Sequence, residues 1–158
     1  MHFTKSIKDY PFLYDGNQGC KTGSMGSASS SEKHLPFMTP KDYSDACTIA
    51  EKILHRFEEM YGNTQGMFSF QFFKSRDQKI FFNEIDVRPG DPEIVVILEN
   101  LKSKFSILLE SMFSMDSKSD IEFSSECVIV KCLVPRSYPG RSRRVQDFRI
   151  NTSLAGKI

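Results

Sequence analysis

Two alternating apolar runs, held apart by a polar turn, constrain this chain more than any other feature. Met67-Phe68-Ser69-Phe70-Gln71-Phe72-Phe73 alternates, Ser75-Arg76-Asp77-Gln78 turns, and Lys79-Ile80-Phe81-Phe82 returns, which predicts a β-hairpin. The second strand runs directly into Asn83-Glu84-Ile85-Asp86-Val87-Arg88-Pro89-Gly90-Asp91-Pro92-Glu93, where four acids and one arginine crowd together. Glu84 and Asp86 are two apart, so on a strand their side chains leave the same face. Partly buried, two such carboxylates repel unless a cation sits between them. Their oxygens suit a hard ion such as Mg²⁺ or Mn²⁺, completed by water and phosphates. Gln71 on the partner strand can lend a carbonyl oxygen, its competing role being a core-edge amide hydrogen-bonded to the backbone. Arg88 adds a planar fork suited to phosphate or carboxylate. The alternative is an exposed strand end, with both acids solvated and Arg88 paired to Asp91.

A chain of 158 residues accommodates one modest domain. Its 14 Phe support a globular interior, and a formal charge of +1 gives no global field toward nucleic acid or a membrane surface. No apolar run reaches the ~18 residues that cross a bilayer. Met1-His2-Phe3-Thr4-Lys5 has no signal-peptide apolar region, so a cytoplasmic location is expected. Cys20, Cys47, Cys127 and Cys132 lack CxxC spacing and His2, His34 and His55 are scattered, which fits reduced thiols rather than zinc or disulfides.

Along the chain, residues 1–10 suit one short strand ending at Tyr10-Pro11. Tyr14 to Ser27 is glycine-rich, allowing tight bends and close backbone approach to a ligand. Lys21 and Thr22 add a cation and a hydroxyl, although the order of residues is not that of a GxxxxGK[ST] loop. A flexible surface loop running into Ser29-Ser30-Ser31 is the competing reading. Thr39-Pro40 announces a helix of about five turns through Tyr43, Ala46, Ala50, Ile53, Leu54, Phe57 and Met60, ending near Gly62-Asn63. Asp91 is placed to cap a following helix with Pro92 at its first position. A second helix then carries Leu101, Phe105, Leu108, Leu109 and Met112, and Ser114 to Asp120 reads as a polar loop. Glu126 to Val134 reads as a buried strand. Residues 141–158 form a basic, irregular tail; with Arg136, the arginines Arg141, Arg143, Arg144 and Arg149 are solvated, or less simply a phosphate or nucleic-acid patch.

Two of these segments carry a resemblance. Tyr10-Pro11 through Ser27 resembles the glycine-rich DGDxGPNTGGMG segment of the phosphoribosylamine–glycine ligases (glycinamide ribonucleotide synthetases), and Glu84 to Glu93 resembles their EFNxRFGDPE. Leu35-Pro36-Phe37-Met38-Thr39 ahead of the long helix resembles the archaeal-type branch, and weaker likeness continues to Ser137-Tyr138-Pro139-Gly140. The resemblance implies an ATP-grasp carbon–nitrogen ligase of purine biosynthesis. In that family ATP phosphorylates glycine, and the amine of 5-phosphoribosylamine attacks the glycyl phosphate. By the same resemblance Glu84 and Asp86 are the metal-binding pair, Arg88 serves the transferred phosphoryl group, and Asp91 lies near the substrate end. Asp15, Lys21, Thr22, Gly23, Ser24 and Gly26 belong to the segment that meets ATP and the acceptor substrates.

The sequence also departs from the family. Asp86 replaces Asn, Pro89 replaces Phe, Cys20 replaces Pro, and Ser24 replaces a motif glycine. If that glycine position needs a left-handed backbone, serine there costs about 1–2 kcal/mol. The likeness starts part-way along the family's chain, so residues 1–140 are expected to be the distal lobe of an ATP-grasp core, inactive alone and associating with a complementing chain or with itself. Three readings stand: part of a phosphoribosylamine–glycine ligase, a non-catalytic binding or assembly module, and an ATP-grasp ligase for another carboxylate and amine. The expected fold is α+β: an antiparallel sheet around the 66–86 hairpin and the 124–134 strand, with helices packed on one side.

Overall fold

Thr39 and Pro40 start the longest element, helix α1 (Pro40–Tyr61), in a computed structural model that describes residues 1–113 and 121–140. Thr39 Oγ1 accepts from the Asp42 N–H at 3.1 Å, and Asp42 Oδ2 accepts from the Thr39 N–H at 2.7 Å. This reciprocal capping box satisfies two of the backbone donors that a helix start leaves free. The helix runs 22 residues, about six turns rather than five, and stops at Gly62, whose φ of 84° a residue with a side chain rarely adopts.

The strands among the described residues form three small antiparallel sheets. β1 (Ile7–Asp9), β4 (Gly26–Ser29) and β7 (Ile129–Lys131) form one, in the order β1-β4-β7. β2 (Phe12–Tyr14) and β3 (Gln18–Lys21) form a hairpin around the Asp15–Asn17 turn. β5 (Ser69–Lys74) and β6 (Ile80–Asp86) form the predicted hairpin. The class is α+β as expected, but the hairpin and the late strand lie in different sheets. β7 is also shorter and wetter than its apolar run suggested, with Ile129 exposed, because it is an edge strand.

The second helical region splits into α2 (Glu93–Asn100) and α3 (Phe105–Phe113). Between them the chain is extended at Leu101, which bridges Phe123. Pro92, not Asp91, occupies the cap position of α2, and no side chain caps it. α2 lies against the three-stranded sheet, with Val96 only 1 % exposed. Leu35, Ala50, Leu54 and Leu108 are the other buried apolar side chains.

A closed polar network ties this layer together. Asn100 Nδ2 donates to Ser29 Oγ at 3.3 Å and to the Val96 carbonyl at 3.0 Å, while Ser124 Oγ donates to Asn100 Oδ1 at 2.9 Å. Each buried group has a partner, so the network fixes α2 on β4 without leaving an unpaired dipole. The expected loop at 114–120 and the basic tail at 141–158 lie outside the described residues. Among the described residues no helix is long and apolar enough to cross a membrane.

Candidate functional site

The β5–β6 hairpin is not a simple ladder. Phe72 faces Phe82 and Gln71 faces Glu84, so Asn83 is an extra residue on β6. Such a bulge shifts the alternation of side chains by one. Before it, Ile80 and Phe82 share the face of Lys74 and Phe72; after it, Glu84 and Asp86 share the opposite face with Gln71 and Ser69. The ring of Phe82 accordingly sits 6.0 Å from Phe72 and 6.4 Å from Phe70, measured between centroids. The inner face meets α1, where Lys74 Nζ donates to Asp42 Oδ2 at 2.8 Å and to the Phe37 carbonyl at 2.9 Å. That ion pair is 10 % exposed on each side. The hydrogen bond from Lys74, then the Thr39 N–H, hold the Asp42 carboxyl down at about 2.

The outer face carries the expected pair. Glu84 is exposed, Asp86 is half-buried, and Arg88 Nη2 stands 3.7 Å from Asp86 Oδ2. Arg88 therefore pairs with Asp86 rather than with Asp91, and its Nη1 donates to the Pro89 carbonyl at 2.9 Å. Gln71 lies directly across from Glu84, but its Oε1 accepts a long 3.4 Å bond from Asn83 Nδ2. Among the described residues no group of three or more His, Cys, Asp or Glu is placed to hold a metal. An exposed and a half-buried carboxylate on one face fit a hard divalent ion that takes its remaining ligands from water and an anionic substrate. They do not fit an ion held by protein alone.

The glycine-rich segment is ordered structure rather than a loose loop. Asp15 sits in the exposed turn of the β2–β3 hairpin, and Lys21 on β3 reaches over the ring of Phe12. Thr22 spends both its N–H and its hydroxyl on the Pro11 carbonyl, at 2.7 and 2.9 Å. The Gly23 N–H donates to the Tyr138 hydroxyl at 3.3 Å, so the late segment folds back on this turn. Ser24 has a positive φ, 156°, and its buried hydroxyl accepts from the Gly26 N–H and donates to the Gly26 carbonyl, both at 3.0 Å. A side chain at Gly26 would place Cβ 2.2 Å from the Val130 carbonyl oxygen. Glycine is required there for β4 to pair with β7.

The family model for phosphoribosylglycinamide synthetase, ATP-grasp (A) domain, matches residues 1–94 of this chain. The chain belongs to that family. It is 32 % identical to a phosphoribosylamine–glycine ligase of Methanocaldococcus jannaschii, over 99 % of this chain and 35 % of the relative. A phosphoribosylamine–glycine ligase of Methanothermobacter thermautotrophicus is 36 % identical over 85 % of this chain and 30 % of its own. One of Pyrococcus furiosus is 32 % identical, with 84 % and 30 % covered. The chain thus spans about a third of the length of these curated relatives.

Within this ATP-grasp (A) domain the two motif segments approach one another through Asp9, Ser27 and Glu93. β1 lies beside β4, and Asp9 stands directly across from Ser27 at the end of the glycine-rich segment. Glu93, in the first turn of α2, is half-buried close to Gly90: a Cβ added at Gly90 would fall 2.7 Å from Glu93 Oε2 and 3.2 Å from Ser69 Oγ. Burial pushes the Glu93 carboxyl above its usual range; its own backbone N–H opposes this, Asp9 and Asp91 reinforce it, and Arg88 opposes it. Asp9, Asp91 and Arg88 therefore all act electrostatically on Glu93. Only the position of Glu93 inside the acidic stretch hinted at this meeting; that of Asp9 and Ser27 depends on strand pairing.

Proposed function

We propose that this chain supplies the metal and phosphoryl-handling part of a phosphoribosylamine–glycine ligase, which joins glycine to 5-phosphoribosylamine with ATP by way of a glycyl phosphate. The observation that carries the reading is the bulged hairpin, which puts Glu84 and Asp86 on one open face with Arg88 beside them. Transfer of a phosphoryl group to a carboxylate brings anions together, so it requires cations in fixed positions more than a general acid or base. Glu84 and Asp86 would hold Mg²⁺ or Mn²⁺, whose chemistry is to neutralise phosphate charge when ATP is bound. Arg88, held beside Asp86 and half free, would meet the transferred group. Asp91 would face the acceptor end.

In the glycine-rich segment the roles divide. Thr22, Ser24 and Gly26 shape the backbone, as their hydrogen bonds and close packing indicate. Asp15, Lys21 and the Gly23 turn are exposed and are the parts of this segment offered to ATP and the acceptor substrates. A second chain carrying a complementary lobe is part of the proposal. Phe73 and Phe81, paired across the same outer face, are 59 % and 52 % exposed, which favours cover by another surface. A cytoplasmic setting for this chemistry is part of the proposal.

The test is Mn²⁺ binding followed by water-proton relaxation. The parent should bind Mn²⁺ weakly, more tightly than Mg²⁺, and Glu84→Ala should abolish binding. Equal Mn²⁺ affinity in the parent and in Glu84→Ala would remove the basis of the assignment.

A further inference from the structure

Helix α1 is only partly covered by the hairpin laid against it. Of its apolar side chains Ala50 and Leu54 are buried, while Ala46, Ile49, Ile53 and Phe57 stay half-buried. The β5–β6 sheet has two strands, and fewer than three seldom hold a layer on their own. Between α1 and the start of β6 runs an open groove of about 550 Å³. One wall is Lys41, Asp45, Thr48, Ile49 and Lys52 of the helix; the other is the stretch from Gln78 to Phe81. No residue of β5 lines it, so the groove follows the free edge of β6.

That edge carries unspent backbone groups. The Ser75 N–H donates to the Lys79 carbonyl at 2.9 Å, so these two residues are a hydrogen-bonded pair closing the hairpin. Bonded and unbonded pairs alternate along an antiparallel ladder. Lys74 faces Ile80 and Phe72 faces Phe82, which makes both of these unbonded pairs. The N–H and C=O groups of Ile80 and Phe82 therefore point away from β5, and an edge of this kind takes up a further strand. From Lys41 to Lys52 the helix rises about 16 Å, the length of a strand of about five residues. The charges select among strands. Asp42 is already bonded to Lys74, and Asp45 to Lys41. Lys52 has no acid partner among the described residues, and Lys79 has only the exposed Asp77 at 3.5 Å. The groove is left with positive charge to satisfy.

We propose that this groove takes an extended acidic segment of a partner protein, added to β6 as a third strand. Alternate side chains of such a segment point to opposite faces. Its apolar set covers Ile49 and Ile80 and extends the sheet over the half-covered side of α1. Its acidic set stays at the surface, where Lys79 shares the outer face with Phe81 and Lys52 stands at the end of the helix wall. A small anion would satisfy the lysines but not the backbone groups of Ile80 and Phe82. Nucleic acid finds little general field to draw it, the formal charge of the chain being +1. The bulge at Asn83 ends the regular part of the edge, so the added strand stops short of Glu84. Neither Glu84 and Asp86 nor the glycine-rich turn takes part, and the site is independent of the ligase reading.

The probe is a capped heptapeptide of alternating glutamate and valine, titrated into the ¹⁵N-labelled chain and followed by amide chemical shifts. The Ile80 and Phe82 amides should move saturably, and a peptide with lysine in place of glutamate should bind roughly tenfold more weakly or worse. Two further peptides carry N-methyl groups, one on the glutamate amides and one on the valine amides. A strand offers only one of these sets to β6, so one peptide should fail and the other should bind like the unmethylated probe. Lys52→Glu combined with Lys79→Glu should weaken the acidic probe roughly tenfold or more, with circular dichroism and Mn²⁺ relaxation as in the parent. Absence of saturable shifts at Ile80 and Phe82, equal binding of the basic peptide, or two methylated peptides that behave alike would each overturn the added strand. Displacement of the probe by a single-stranded oligonucleotide of equal charge would also overturn it, leaving a general anion surface. Loss of the Mn²⁺ response with probe binding intact would remove the ion site alone; the reverse would remove the groove alone.

Discussion

Ser24 offers the sharpest test of how this backbone is held. Its φ of 156° lies where side chains are strained, and its hydroxyl holds both the N–H and the carbonyl of Gly26. Ser24→Ala keeps the strain and removes the hydroxyl. The Gly26 carbonyl retains a bond from the Tyr10 N–H at 3.0 Å, but its N–H loses the Ser24 acceptor in a buried place. A buried donor without its partner costs about 1–3 kcal/mol, so about 2 kcal/mol is the expected loss. Ser24→Gly loses the same bond and adds unfolded-state freedom worth about 0.5–1 kcal/mol, yet relieves about 1–2 kcal/mol of strain. Its net cost is then about 1 kcal/mol. The stability order should be parent, then glycine, then alanine, measured by urea unfolding of all three. A glycine variant less stable than alanine by about 0.5–1 kcal/mol would show that the backbone at residue 24 is unstrained. An alanine variant as stable as the parent would show that the two hydrogen bonds contribute nothing.

Gly26→Ala should be more damaging, by about 2–4 kcal/mol on the same assay, because the added carbon meets the Val130 backbone and no side chain can move aside. Thr22→Val should cost about 1 kcal/mol of stability and leave nucleotide binding, read by fluorescent ATP-analogue titration, unchanged, since its hydroxyl serves Pro11. The folded-state pKa of Asp42, about 2, lies below the ordinary value of about 3.9, so its contribution is complete above pH ~4 and is lost as pH falls toward 2. Lys74→Met should therefore lower stability by a constant amount above pH ~4, and the gap to the parent should close between pH ~4 and ~2 in acid-unfolding curves.

What could be read from the sequence was local. Thr39, Pro40 and the spacing of Ala50, Leu54 and Phe57 define α1 without help from the rest of the chain, and the box between Thr39 and Asp42 sits at the spacing that makes one. The hairpin was legible because Ser75 to Gln78 is a turn and its flanks alternate. β4 was not legible, because Gly26-Ser27-Ala28-Ser29 has no apolar alternation. Ser29 is buried through bonds with Asn100 of α2 and the Val128 N–H, and Ser27 by the elements packed over it, a fact of tertiary structure. The same holds for the break between α2 and α3, where Leu101 leaves the helix to meet Phe123. The side-by-side placement of Glu84, Asp86 and Arg88 was legible from their spacing along one strand. The pairing of Asp9 with Ser27 was not, since strands separated by the whole β2–β3 hairpin bring them together.

The extra residue at Asn83 has a consequence for comparing this chain with others. It works as a phase slip: the strand counts in twos, skips once, and resumes counting on the other side. Phe82, Glu84 and Asp86, which look like one uninterrupted alternating run, are thus sorted onto opposite walls, the ring inward and the acids outward. The address of the acidic pair is set by how many residues precede it, not only by their kind. A related chain that lost one residue here would have to carry its acids one position earlier to present them outward. An alignment that closes that gap silently would match Glu84 with a side chain pointing into the protein.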